Sequence, residues 1–195
     1  MGASLSEPMT GAPASPWVAY FLAGVVPGGN VLDVACGTGR HVRLAVGQGL
    51  SVTAIDRDTS RLGALAQHPN VEVIAADLED GAALPVAGRS FAGVIVTNYL
   101  WRPILPAICA AVAADGLLIY ETFALGHEKL GGRPSNPDFL LRPNELAEAA
   151  IAAGLIIVAF EQVREDKPRP LIIQRIAAVG PVHPWATVPL PRWAP

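Results

Sequence analysis

Val31-Leu32-Asp33-Val34-Ala35-Cys36-Gly37-Thr38-Gly39-Arg40 is the stretch that decides the fold of this chain. Residues 31–34 read as a buried strand, an apolar run interrupted once by an acid. The run then breaks into a turn of small residues with two glycines. An apolar-periodic helix over residues 40–47 follows, through Val42, Leu44, Ala45 and Val46. Strand, turn and helix in that order form a unit whose turn admits a ligand close to the backbone. At Gly37 and Gly39 no Cβ stands in the way.

Asp33 selects among ligands. A dinucleotide pyrophosphate wants bare backbone N–H groups at a helix N-terminus, and a carboxylate beside it repels it. The dinucleotide fingerprint also asks for a small residue three after the second glycine, where this chain has Val42. A ligand with cationic groups and no phosphate suits the acid better, and S-adenosylmethionine, with its sulfonium and ammonium, is such a ligand.

Outward from that unit, apolar β-rich runs recur at residues 51–55, 71–75, 91–97, 117–120, 155–160 and 171–178. Helix-compatible stretches lie between them at 60–67, 103–113 and 143–153, with a short or irregular piece near 80–84. Alternating strands and helices predict βαβ units and a mostly parallel sheet covered on both faces. Residues 161–170 leave no room for a crossover helix, so the last two strands are expected to pair as an antiparallel hairpin. A further helix is expected from Pro16 through residues 17–26, too short to span a bilayer. The expected division is a flexible N-terminal segment over 1–15, one α/β domain over 16–180 and a tail over 181–195. That tail holds five prolines and two tryptophans, Trp185 and Trp193, so it is read as extended.

The run Asp33-Val34-Ala35-Cys36-Gly37-Thr38-Gly39 resembles the first motif of class I S-adenosylmethionine-dependent methyltransferases. The wider pattern, over roughly residues 31–179, resembles small bacterial methyltransferases loosely grouped with the tellurite-resistance methyltransferases. The resemblance implies a Rossmann-like fold: a seven-stranded, mostly parallel sheet with an antiparallel C-terminal hairpin strand and helices on both faces. It implies S-adenosyl-L-methionine as cofactor and S-adenosyl-L-homocysteine as product.

Ligands of open α/β sheets sit beyond the carboxyl ends of the strands, and those ends supply the candidate residues. After the first strand come Asp33, to hold an ammonium directly or through water, then Ala35, Gly37 and Gly39. After the second comes Asp56, whose two oxygens match two ribose hydroxyl donors, with Arg57 beside it. Asp58, Thr59 and Ser60 read as the following helix cap, leaving Asp56 free. After the third come Asp77, for an adenine amino group, and Leu78, to pack on the ring, although Glu79 and Asp80 stand near enough to substitute. Asn98 faces the sulfonium end after the fourth. The resemblance implies the same roles at these positions.

The acceptor wall is expected after the fourth and fifth strands. Tyr99 and Trp101 either wall a planar acceptor or pack under the next helix, and Arg102 and Phe123 stand beside them. The Gly-, Pro- and Asn-rich run 125–141 is long enough to act as a lid. Within it, Arg133 either clamps an anionic acceptor or forms a surface ion pair. Glu121, ending an apolar strand, and His127, in the loop, are the two candidate bases.

A net charge of −3 offers no basic face for nucleic acid. The four histidines, His41, His68, His127 and His183, show no paired metal-ligand spacing, so no metal is expected. Two cysteines, Cys36 and Cys109, do not make a disulfide scaffold and suit a cytoplasmic setting. Cys36 has no neighbour that would activate its thiol. The function expected is methyl transfer to a small-molecule acceptor at oxygen, nitrogen or a chalcogen, by a monomer or homodimer. The alternatives are a protein or RNA methyltransferase and a non-catalytic S-adenosylmethionine-binding module.

Overall fold

The computed structural model describes residues 12–166, 169–188, 190 and 193. Seven strands form one sheet: β1 (Asn30–Val34), β2 (Ser51–Asp56), β3 (Val71–Ala75), β4 (Phe91–Thr97), β5 (Val112–Phe123), β6 (Ile156–Glu165) and β7 (Leu171–Val179). Their order across the sheet is β3-β2-β1-β4-β5-β7-β6. The first five are parallel, and β7 enters antiparallel between β5 and β6. The hairpin expected of the last two strands is therefore present.

Burial on both faces explains the near-continuous apolar strands. Leu32, Val34, Val94, Val96, Leu118, Tyr120, Ile176 and Ala178 point into one layer, beneath α3 (Leu105–Ala110) and α4 (Glu145–Ala152). Their neighbours Val31, Ile95, Leu117, Ile119, Ala177 and Val179 point into the other, beneath α1 (Pro16–Phe21) and α2 (Arg40–Gly47). The strand order reverses beside β1, with β2 on one side and β4 on the other. A crevice therefore opens at the C-terminal ends of these two parallel neighbours.

Several elements depart from the expected ones. Between β2 and β3 the chain forms a kinked 3₁₀ segment, Thr59–Gln67, because Gly63 takes φ 56° and ψ −129° and breaks the helical run. The expected helix over 103–113 ends at Ala110, and Val112 instead pairs with Phe91 to start β5. The helix expected from Pro143 begins at Glu145, after Asn144 in a left-handed conformation. The 17–26 helix stops at Phe21 and continues as a 3₁₀ turn, Leu22–Gly24.

Residues 1–11 of the expected flexible segment lie outside the described residues. Ser15 is buried and caps α1, its hydroxyl accepting from the Val18 N–H. In the tail, Trp185 occupies the space that a Cβ on Gly24 would need, and buried His183 contacts the Gly24 carbonyl through Nε2 at 3.0 Å.

Candidate functional site

The crevice at the ends of β1, β2 and β4 is a cleft of about 540 Å³. Ala35, Cys36, Gly37, Thr38 and Arg40 line it from β1 and the following turn. Asp56, Arg57 and Arg61 enter from the β2 end, Asp77, Leu78 and Glu79 from β3, and Thr97, Asn98 and Tyr99 from β4. The strand-end reading thus brings Ala35, Gly37, Asp56, Arg57, Asp77, Leu78 and Asn98 to one wall-to-wall cavity.

The turn builds the floor. Ala35 and Gly37 hold φ of 55° and 56°, which turns the backbone sharply away from β1. A Cβ added at Gly37 would meet no atom within 4 Å, so the space above it is open to a ligand. Gly39 is different: a Cβ there would lie 2.7 Å from Leu62 and 2.8 Å from Leu65. It is needed for close packing of the turn against the 3₁₀ segment and does not line the cleft, contrary to the expectation that it admits the ligand.

Asp56 is oriented by its own neighbourhood. The Gly37 N–H donates to its Oδ2 at 2.8 Å and the Asp58 N–H to its Oδ1 at 2.9 Å. Each oxygen keeps a lone pair for a further donor. Asp77 is exposed at the rim, its Oδ1 accepting from the Glu79 N–H at 3.0 Å, while Leu78 is 8 % exposed and seats its side chain in the core.

Asp33 lies under this floor, 1 % exposed, with Oδ2 lacking any hydrogen-bond partner. Burial pushes its carboxyl up to about 7; the Arg40 guanidinium and the Val42 N–H pull down, while Asp56 adds to the rise. Burial raises the Cys36 thiol far above its ordinary range, with Asp33 and Asp56 adding to the effect, so it stays protonated.

Arg40 and His41, neither picked out as a site residue from sequence, complete the β1/β4 corner. Arg40 donates to Thr97 Oγ1 at 3.3 Å and to the Pro13 carbonyl at 3.4 Å. His41 is buried, and its Nε2 accepts from the Ser15 N–H at 3.2 Å. The neutral ring then carries its proton on Nδ1, 3.4 Å from Thr97 Oγ1. Burial, with Arg40 adjacent, lowers this imidazole to about 3, so it is neutral at physiological pH. The legible signal for Arg40 was its place, a cation directly after an acid-bearing turn.

Residues 31–114 match the family described as Methyltransferase domain. Residues 31–114 are thus similar to a methyltransferase domain, and the sheet order is that of the class I methyltransferase fold. TehB from Haemophilus influenzae shares the fold at a TM-score of 0.63 and 16% identity, covering 83% of this chain and 61% of TehB. This chain therefore spans less than two thirds of that protein. The 1,6-didemethyltoxoflavin-N1-methyltransferase of Burkholderia thailandensis, solved with 1,6-didemethyltoxoflavin and S-adenosylhomocysteine bound, aligns at 0.64 and 21% identity, over 85% of this chain and 76% of its own. The [4+2]-cyclase SpnF aligns at 0.63 and 16% identity, over 86% and 81%. At these identities the likeness establishes the fold. No curated protein matches the sequence.

Within this fold, the expected acceptor residues do not gather. Tyr99 lines the cleft on the side of Arg57, Asp77 and Glu79, and its hydroxyl is buried without a partner. Burial raises that phenol well above its ordinary range, with Glu79 and Asp77 reinforcing it. Trp101 packs on the core, and its indole N–H also lacks a partner. Arg102 is turned away, paired with Glu145 at 2.7 Å and donating to the carbonyls of Asp138 and Leu140. It clamps the end of the 125–141 loop. Phe123 stacks on His127 at 4.5 Å between ring centroids. Arg133 is exposed, and its carbonyl faces His127 Nε2 at 3.3 Å.

Neither candidate base faces the cleft. His127 is buried, with Nδ1 accepting from the Ile172 N–H at 3.3 Å, which ties the loop to β7, and Nε2 turned to Arg133 O within the loop itself. Glu121 lies 3.6 Å from Arg175, its register partner on β7. Burial raises its carboxyl, opposed by a bond from Ser15 and by Arg175. The 125–141 loop folds into two 3₁₀ turns closed by an Ala124–Leu141 bridge, and none of its residues lines the cleft. The lid reading gives way to a pinned connector. Among the described residues no cluster of metal-ligating side chains occurs, and no helix is long and apolar enough to cross a membrane.

Proposed function

We propose that the domain transfers the methyl group of S-adenosylmethionine to a small-molecule acceptor, at oxygen, nitrogen or a chalcogen atom, by in-line displacement. The observation that carries this reading is the cleft itself: open space above Gly37, a carboxylate at Asp56 held in place by two backbone N–H groups, and a buried Asp33 oxygen without a partner. This donor set fits the cofactor. Asp33 suits its ammonium, Asp56 its ribose hydroxyls, and Asp77 with Leu78 its adenine, while Arg57 and Tyr99 flank the ring. Asn98, left-handed at φ 55°, presents backbone at the sulfonium end.

When bound, the cofactor supplies an activated methyl on a sulfonium whose thioether departs readily. The protein's share is alignment and exclusion of water. Glu121 and His127 are committed elsewhere, so neither serves as a base over the β4–β5 end. A net charge of −3 weighs against nucleic acid. The Burkholderia thailandensis enzyme, solved with 1,6-didemethyltoxoflavin in place, supports a small molecule. Two free, buried cysteines support a cytoplasmic setting. In this reading residues 16–180 form the catalytic domain.

A second reading, a cofactor-binding domain without methyl transfer, draws on SpnF, a cyclase by name with the same fold. Calorimetric titration with S-adenosylmethionine and S-adenosylhomocysteine, with NAD as control, tests the shared premise. Micromolar binding of the first two and none of NAD is expected, and absence of binding by folded protein sinks both readings. Asp56→Ala should weaken binding by about 1–3 kcal/mol, the cost of unmatched polar groups. Turnover on a panel of thiol, amine and hydroxyl acceptors then separates the two.

A further inference from the structure

We propose that Arg40 holds the α-carboxylate of the cofactor's methionine arm, so that Arg40 and Asp33 together read an intact α-amino acid. The inference rests on the cofactor reading above and concerns a residue to which neither the motif nor the strand ends assigned a role.

Arg40 lines the cleft where β1 and β4 meet, the corner that also contains Thr97, Asn98 and the turn above Asp33. Its guanidinium makes two long bonds, 3.3 Å to Thr97 Oγ1 and 3.4 Å to the Pro13 carbonyl, both to neutral acceptors. Among the described residues no carboxylate lies within ion-pair distance of it, as is also true of Arg57 and Arg61 in the same cleft, whereas Arg89, Arg102, Arg142, Arg164 and Arg175 each have one. A guanidinium offers five N–H donors in a planar fork matched to a carboxylate. Two weak bonds leave that capacity largely unused, and charge-assisted bidentate pairs are the strong ones.

The second observation is the orphaned Asp33 Oδ2, buried beneath the same turn. Arg40 is the cationic side chain whose charge Asp33 feels. An acid short of a donor beside a cation short of an acceptor is complementary to a zwitterion, ammonium to the one and carboxylate to the other. The other two arginines of the cleft, Arg57 and Arg61, follow β2, and of the three it is Arg40 that bonds Thr97 at the end of β4. Arg40 is thus the cation at the corner where the amino-acid arm lies.

The test compares S-adenosylmethionine with its decarboxylated analogue, which keeps the ammonium, sulfonium and adenosine and lacks the carboxylate. Affinities are read by calorimetry on wild type, Arg40→Gln and Arg40→Lys. Wild type should prefer S-adenosylmethionine by about tenfold or more, the range of a charge-assisted hydrogen bond. Arg40→Gln should bring the two affinities within roughly twofold by weakening S-adenosylmethionine alone, and Arg40→Lys should restore part of the preference. A uniform loss for both ligands assigns Arg40 to tethering Pro13 and Thr97 and overturns the proposal. So does a preference that survives Arg40→Gln. Equal affinities in wild type overturn it without any variant, which covers a variant that fails to fold. Failure of wild type to bind either ligand instead overturns the cofactor reading on which it rests.

Discussion

The two ends of the sheet handle charge in opposite ways. At the β1–β2–β4 end, one Asp33 oxygen lacks a donor, the Tyr99 hydroxyl lacks a partner and Arg40 bonds only neutral oxygens. At the β5–β7–β6 end, Arg175 is 8 % exposed at its side chain and paired with Glu161 at 2.6 Å, Glu165 at 2.9 Å and Glu121 at 3.6 Å. The rings of Trp17 and Trp193 flank its guanidinium at 4.9 and 4.3 Å. Both ends concentrate acids and arginines, so composition does not separate them. Completeness does: the second cluster satisfies itself and reads as structure, while the first is left short by about what an amino acid carries.

Removing the hub of the satisfied end should have the largest effect. Arg175→Ala leaves Glu121 buried without its cation and strips the partner from two further carboxylates. A loss of about 3–5 kcal/mol in urea unfolding is expected, the cost of breaking a buried pair by one partner. A change below about 1 kcal/mol would mean that the cluster is no more than surface charge.

The unsatisfied end should respond with the opposite sign. The Asp33 carboxyl sits at about 7 in the folded protein against an ordinary 3.8. Its penalty is absent below the unfolded value, grows as pH rises through that window, and is fully present above about 7. Asp33→Asn should therefore stabilise the ligand-free protein at pH 8 by about 2–4 kcal/mol, with little gain at pH 4, while weakening cofactor binding. Equal stability of variant and wild type at both pH values would mean that the orphaned oxygen costs nothing. The smallest effect belongs to the turn. Ala35→Gly relieves a left-handed φ of 55°, and a gain of about 1 kcal/mol, roughly 2–4 °C in Tm, is expected in a thermal melt. A lower Tm would show that the methyl packs better than the conformation costs.

The same contrast explains what the sequence disclosed. β1 to β4, the helix after β1 and the C-terminal hairpin were legible because apolar runs and turn residues act over a few positions. The cleft acids were legible because they stand at strand ends. What failed was pairing at long range. Glu121 ends a strand as Asp56 does, yet only the β5–β7 register, which sets it opposite Arg175, reveals its partner. His127 is bound by Ile172, 45 positions away, and Ser15 binds His41, 26 positions away. The two glycines of the motif look alike in sequence, and only the approach of Leu62 and Leu65 tells that Gly39 is closed by packing while Gly37 stays open.

The edge-on packing of Trp17 against Trp193, with the bond from the Trp17 indole to the Ile176 carbonyl, has a consequence for how the molecule comes to be folded. That bond spans 159 positions, so α1, although made first, finds its seat only after the last strand has been synthesised. Contacts of such separation form slowly. On the ribosome α1 waits until β7 has emerged, its aromatic face uncovered in the meantime.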